Sequence, residues 1–307
     1  MSTNPFQASN FDPSTVAPNR IVIYDDTGYL DNGGYGNPAQ FGYTQASTDA
    51  YVEGIFGANN LANVVNDVDA QFPDATYYQA INSASSGPQG TTYFIDHGIQ
   101  GTSGSDVILD FSGDNVVNTG AGADLILLGS GVNYVASGSG DDVVVVGMAN
   151  DVVKLGAGDD WLWANGGNDN VRAGRGNDTV LGLDGDDTIA GGRGDDDLQG
   201  GNGMDVLRGG QDDDRLNGGA DNDRLVGGDG ADTFVFEGGT GRDQISDFED
   251  GIDMIEIDMA STGLTGFGDL TLSQTGSRVL VELGNGDEIV LRNTLLADIS
   301  AADFTFV

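Results

Sequence analysis

The chain has 307 residues, with 11 Lys and Arg against 49 Asp and Glu, for a formal net charge of −38. That acidity excludes nucleic acid and a direct grip on anionic lipid as partners. It contains no cysteine, so disulfides and Cys-based metal sites are impossible, and nothing in it reaches the length of a transmembrane segment.

Residues 1–19 read as a lead with three prolines, lacking the basic start and apolar core of a Sec-type signal peptide. Arg20–Tyr24 (RIVIY) reads as a strand closed by a turn at Asp25–Gly28. Residues 29–46 are rich in Gly, Asn, Gln and Tyr and show no period. A helix is expected around 59–72, where Leu61, Val64, Val65, Val68 and Phe72 form an i, i+3, i+4, i+7 stripe that Pro73 ends. Thr48 or Asp49 is placed to cap a shorter helix before it. Thr91–Ile95 reads as a strand leading to the next region. Eight of the nine tyrosines precede residue 94, so this segment carries either an aromatic core or an adhesive surface. Residues 1–100 are thus expected to form a small α+β segment, in which no family is recognised.

From Gly101 to Val235 the chain falls into fifteen nonapeptide lines with no insertion. Gly191–Gln199 (GGRGDDDLQ) and Gly200–Arg208 (GGNGMDVLR) show the pattern most plainly: G-G-x-G-x-D-x-U-x, with U apolar. The sixth position is Asp in thirteen lines and Asn in two (Asn115, Asn133); the eighth is apolar in all fifteen. Such a period marks a solenoid. Each line divides into a six-residue turn and a three-residue strand. Glycines at positions 1, 2 and 4 permit tight corners, and strand alternation sends position 8 inward and positions 7 and 9 outward. Two lines make one coil, so line n stacks on line n+2. Carboxylate and carbonyl oxygens crowded between stacked turns are the hard donors that Ca²⁺ takes.

Residues 101–246 resemble the calcium-binding repeat region of RTX proteins, and the resemblance implies a right-handed parallel β-roll with Ca²⁺ between successive turns. The acids expected to bind are Asp106, Asp124, Asp142, Asp160, Asp169, Asp178, Asp187, Asp196, Asp205, Asp214, Asp223, Asp232 and Asp243, the last in a displaced sixteenth line, Gly238–Ser246. The two rows are unequal. All eight odd turns keep the acid, whereas the even turns start with Asn115, Asn133 and an Ala149 in place of glycine, and improve from Asp169 onward. About ten ions would carry about +20 and nearly neutralise the repeats. Without them the Gly-rich acidic chain is expected to stay disordered, so metal binding energy becomes folding energy. Outward positions of the early odd strands, Val107, Leu109, Leu125, Leu127, Val143, Val145, Trp161 and Trp163, form an apolar face that needs cover, either from the N-terminal segment or from a second subunit.

After the repeats, strands are expected at Ile252–Ile257 and Leu270–Leu272, and a hairpin at Arg278–Leu283 turning through Asn285-Gly286 into Glu288–Leu291. The run ADTFVFEGGTGRDQISDFEDGIDMIEI and the closing LGNGDEIVL and ISAADFTFV are similar to the C-terminal region of serralysin metalloproteases. That similarity implies a β cap over residues 247–307 carrying an uncleaved type I secretion signal that ends in Asp303–Val307. The resemblance stops short of catalysis. No H-E-x-x-H zinc helix and no G-x-S-x-G nucleophile elbow is present, and His97 is the one histidine, a loop or packing residue by expectation. The residues therefore point to a mainly β, non-enzymatic protein: secreted, calcium-binding and self-assembling at the cell surface as a layer, filament or matrix. A monomeric adhesion module using the Tyr-rich segment is the second reading, and a hydrolase with an unrecognised site the third.

Overall fold

A computed structural model describes residues 20–24, 77–78, 98–101, 103–110, 114–129, 131–284 and 286–307. The protein is a parallel β-roll of about eight coils. Two 12-stranded sheets face each other across a single apolar core. One sheet takes the strands of the odd lines, from Asp106–Asp110 through Trp161–Trp163 to Thr233–Phe236; the other takes the even lines, from Val116–Ala121 to Arg224–Asp229. The register is the eighteen-residue step expected of two lines per coil: Trp161 pairs with Val143 and Thr179, and Val171 with Val153 and Ile189.

Position 8 fills the interior in every line. Ile108, Val117, Ile126 and their successors through Leu225 to Phe234 are all buried. Strand alternation alone accounts for that. Two details depart from the simple nonapeptide reading. First, most ladders do not stop after three residues but run across the corner into the next line, as in Asn170–Arg175 and Val206–Gln211, leaving shorter turns. Second, position 1 also faces the core in the middle coils, where Leu128, Val146, Leu155, Ala164 and Ala173 are fully buried, as are Thr119 and Ser137. Their hydroxyls stay satisfied along the stack: Thr119 Oγ1 donates to the Ser137 carbonyl at 2.6 Å, and Ser137 Oγ to that of Leu155 at 2.8 Å.

Positive φ falls at positions 2 and 4, for example Gly138 (110°) and Gly140 (116°), and not at position 1. A Cβ at Gly138 would overlap the carbonyl oxygen of Gly120 one coil below, so these corners stack backbone on backbone. Asp212 replaces the position-4 glycine and adopts the same left-handed conformation, φ 78°.

The sheets continue past the repeats at both ends. Arg20–Tyr24 forms a strand, as expected, and joins the odd sheet beside Asp106–Asp110, with Tyr77–Tyr78 beyond it. Gly98–Gln100 begins the even sheet. At the other end Met254–Ile257 and then Phe304–Phe306 extend the odd sheet, while Arg242–Ile245 leads to the Arg278–Glu282 and Glu288–Arg292 hairpin and an outer strand, Thr271–Thr275. Phe267, Phe304 and Phe306 pack over the open core end, with ring centroids 5.2 and 6.5 Å apart. This is the cap that a solenoid end requires. The expected helix at 59–72, the strand at 91–95 and His97 lie outside the described residues. Among those described, no helix is long and apolar enough to cross a membrane.

Candidate metal centre

Position 6 places its carboxylates in two columns, one at each edge of the roll. Each Asp projects inward, buried to 0–4 % exposure from Asp106 to Asp253. One oxygen, Oδ1, accepts the backbone N–H of the position-6 residue one coil earlier: Asp124 from Asp106, Asp178 from Asp160, Asp196 from Asp178, Asp232 from Asp214, at 2.7–3.0 Å. The same bond links the even column from Asn133 to Asp243. Hence each acid from Asp124 onward in one column and from Asp151 onward in the other has one oxygen committed to holding successive coils in register.

The second oxygen is the informative one. In eleven aspartates (124, 142, 160, 169, 178, 187, 196, 205, 214, 223 and 232) Oδ2 is buried and meets no hydrogen-bond donor among the described residues. A buried, unsatisfied acceptor costs about 1–3 kcal/mol, and more if charged. Eleven of them cost roughly 10–30 kcal/mol, which exceeds the roughly 5–15 kcal/mol net stability of an ordinary domain. Something beyond the described residues must supply the missing partner.

The surroundings say what kind. In the seven lines that begin with Gly (101, 182, 191, 200, 209, 218 and 227), a Cβ at that glycine would overlap Oδ2 of the line's own aspartate. At Gly101, Gly182, Gly191 and Gly200 it would also crowd the position-1 carbonyl oxygen of the next coil. In these seven lines position 1 needs glycine for space rather than for φ. The niche so formed is lined by a carboxylate oxygen and, at those four glycines, by a backbone carbonyl oxygen. Among the described residues no three acids or histidines converge, so a cation between coils draws most of its ligands from the backbone. All-oxygen donors of this kind fit Ca²⁺.

The early even turns differ. Asn115 Nδ2 donates to Asn133 Oδ1 at 2.8 Å, and Asn133 Nδ2 donates to the Gly131 carbonyl and to Asp151 Oδ1. Asp151 Oδ2 accepts from the Gly147 N–H. Asn133 and Asp151 are satisfied within the column without a cation, and donorless carboxylates start in this column at Asp169.

Burial is the main cause of raised carboxyl pKa values throughout the columns, and neighbouring acids, in the column or on the turns beside it, add to it. Asp160, Asp169, Asp214 and Asp243 are pushed up to about 8, Asp142, Asp196 and Asp205 to about 7, and Asp124, Asp178, Asp187, Asp223 and Asp232 to about 6.

Three features escaped the sequence reading. Position 5 builds a second, exposed ladder running the opposite way: its Asp or Asn oxygen accepts the position-5 N–H one coil later, as in Asp141 to Asp159, Asn168 to Asp186 and Asp195 to Asp213, at 3.0–3.1 Å. The signal was there, since ten of the fifteen lines carry Asp or Asn at position 5. Asp253 continues the odd column beyond the repeats, accepting from the Asp232 and Glu249 N–H groups. Asp287 closes the even column, accepting from Gly239 and Gly241.

Of the apolar face, the structure aligns Leu125, Val143 and Trp161 in one row and Leu127, Val145 and Trp163 in the next, with the two indoles stacked at 5.6 Å. The second row is buried and the first half-buried. Val107 and Leu109 lie in the strand Asp106–Asp110, but their side chains are outside the described residues.

A sequence profile of the RTX calcium-binding nonapeptide repeat, in four-copy units, matches overlapping stretches that together span residues 99–234. These repeats belong to the RTX calcium-binding family. Three solved structures are similar to this chain. The AlgE6R2 subunit of the Azotobacter vinelandii mannuronan C5-epimerase is 28% identical, and the match covers 44% of this chain and 91% of that one, at a TM-score of 0.28. The extracellular lipase LipA of Serratia marcescens is 17% identical over 74% of this chain and 41% of the lipase, at 0.28. The AlgE6R3 subunit of the same epimerase is 19% identical over 72% and 86%, at 0.22. No curated protein matches the chain in sequence.

Two outcomes follow for the RTX turns. Asp178→Asn and Asp196→Asn keep the Oδ1 acceptor but lose the charge, so each should raise the calcium concentration at the folding midpoint by about threefold or more, whereas Asn115→Ala and Asn133→Ala, which lose hydrogen bonds but no carboxylate, should raise it by less. Far-UV circular dichroism during calcium titration reads both; equal shifts for the two pairs would refute the unequal columns. The second outcome concerns pH. A carboxyl raised in the folded state stabilises that state fully only below its unfolded value near 3.9, and the contribution is lost as pH rises through the folded value. In EDTA, β structure should therefore be greatest at acid pH and disappear as pH passes through about 6 to 8. A signal that grows with pH in EDTA would contradict the burial of these acids.

Proposed function

We propose that the protein is exported unfolded by a type I apparatus, folds on calcium outside the cell, and serves there as a structural element that assembles at the cell surface. The observation that carries this reading is the set of eleven buried carboxylate oxygens lacking a donor. Each would take one calcium ion shared with backbone carbonyls of adjacent coils. A site that exists only in the folded chain contributes about 2.7 kcal/mol when calcium is in hundredfold excess over its Kd. Eleven such sites together contribute roughly 30 kcal/mol, enough to offset the desolvation of the same eleven acids.

That balance makes calcium the determinant of the chain's state. Inside a cell, where calcium is scarce, the acids repel and the Gly-rich chain stays extended and threadable. Outside, many sites fill together and the transition is steep. The terminal residues Phe304–Phe306 then pair with Met254–Ile257, and the Val307 N–H donates to the Ile257 carbonyl at 3.0 Å, so the tail that would engage the exporter becomes part of the cap. A non-enzymatic role agrees with a site made wholly of repeated structural oxygens.

Assembly is favoured over a monomeric adhesion role by one surface: the even strands of the repeats present exposed Lys154, Arg172, Arg208 and Arg224, which make no ion pair among the described residues, in a chain dominated by acids. The test is circular dichroism at neutral pH. The chain should be unstructured in EDTA and gain its β signal steeply and reversibly with calcium. A chain already β-rich in EDTA at pH 7.5 would overturn the export mechanism.

A further inference from the structure

We infer that the outer face of the even sheet is a docking surface for a second copy of this chain, received through its odd turn ridge. The inference rests on the assembly role proposed above and names its contact.

Nine of the eleven basic residues lie in strands of the even sheet. Lys154, Arg172, Arg208 and Arg224 sit at its outward positions 7 and 9, are exposed, and make no ion pair with a described residue. Across the sixteen outward positions of the eight even lines, from Val116 to Ser246, there is not one acid. In a chain with 49 acids that is a strong segregation. The odd sheet differs: its outward Arg215 is already held by Glu256 in a two-bond pair at 2.8 and 3.1 Å. Unpaired cations on an acid-free face gain most from an external partner carrying a matching row of anions.

The odd turn ridge of the same fold is such a row. Its exposed position-5 residues are Asp141, Asp159, Asn177, Asp195 and Asp213, in consecutive odd lines: two charges, a neutral gap, two charges. The position-9 residues of the consecutive even lines read Lys154, Arg172, Ala190, Arg208 and Val226, two charges, a neutral gap and a third charge, and the last line places its cation, Arg224, at position 7 in the adjacent row. Line for line the two rows occupy the same five coils, and both advance by one strand spacing of about 4.8 Å per coil. Copies lying side by side with no axial stagger therefore set cation against carboxylate and Ala190 against Asn177. No ion pair within the chain joins the two rows among the described residues. The surfaces are different patches, so the contact is heterologous and each copy keeps one of each free, which extends the array rather than closing it.

Sedimentation velocity on the full calcium-loaded chain tests this, with circular dichroism confirming that each variant is folded. The native protein should associate at about 20 mM salt and dissociate at about 500 mM, where screening shortens to a few ångströms. Combining Lys154→Glu, Arg172→Glu and Arg208→Glu should leave a monomer, raising the association midpoint by at least about tenfold. Combining Asp141→Asn, Asp159→Asn, Asp195→Asn and Asp213→Asn removes the ridge charge yet keeps the ladder acceptor that Asn168 and Asn177 already supply, and should do the same. Mixed together, the two variants retain one face and one ridge between them and should form dimers that grow no further. Association that survives either set of changes overturns this contact while leaving assembly through another surface intact. A folded native chain that stays monomeric at every salt concentration sinks the assembly role itself. If that monomer is held on an anionic polysaccharide such as alginate through the same three basic residues, the face takes a polyanion and the second copy is excluded.

Discussion

A buried carboxylate with one oxygen bonded and the other bare is the constraint from which this molecule is built. The bonded oxygen sets the eighteen-residue register, because each position-6 side chain reaches the N–H one coil below it. The bare oxygen makes that register untenable alone. The apolar core cannot compensate: each line contributes one position-8 side chain, and from Gly182 onward position 1 contributes none. A rod with so thin an interior stands or falls with its cations.

The two ends show the contrast. Asp287 meets two backbone N–H groups, Asp247 accepts from Gly227 and Gly228, and Asp303 accepts from the Ser300 N–H and hydroxyl and from the Gly251 N–H. In the cap, where the chain leaves the repeat, acids are satisfied by the protein itself. In the coils, where every turn is the same, there are not enough donors for two oxygens per line. Repetition creates the shortage, and the early even column escapes it only by exchanging carboxylates for amides that carry their own donors.

Much of this was legible in the sequence. The eighteen-residue step, the inward position 8, the unequal columns and the left-handed Asp212 all follow from the nonapeptide, because periodicity and glycine placement are local. So was the C-terminal hairpin, from its alternation and the Asn285-Gly286 turn. Other features were hidden for physical reasons. Position 1 looked like one more corner glycine, and only stacking reveals that its missing Cβ is the space beside Oδ2. The position-5 ladder bonds residues eighteen apart through exposed side chains that read as ordinary polar surface. Asp253 and Asp287 stand outside the nine-residue period, yet the fold carries them to the ends of the columns. The charge pattern of the even face appears only once alternate lines are separated into two sheets.

The same oxygens thus determine register, stability and the compartment in which the chain can fold. Anomalous scattering from crystals grown in calcium would test that claim most directly. The account predicts ions in both turn columns, each about 2.3–2.6 Å from the Oδ2 of an aspartate between Asp124 and Asp232, and none between Asn115 and Asn133. Aspartates in the same positions with no ion within that distance would contradict it.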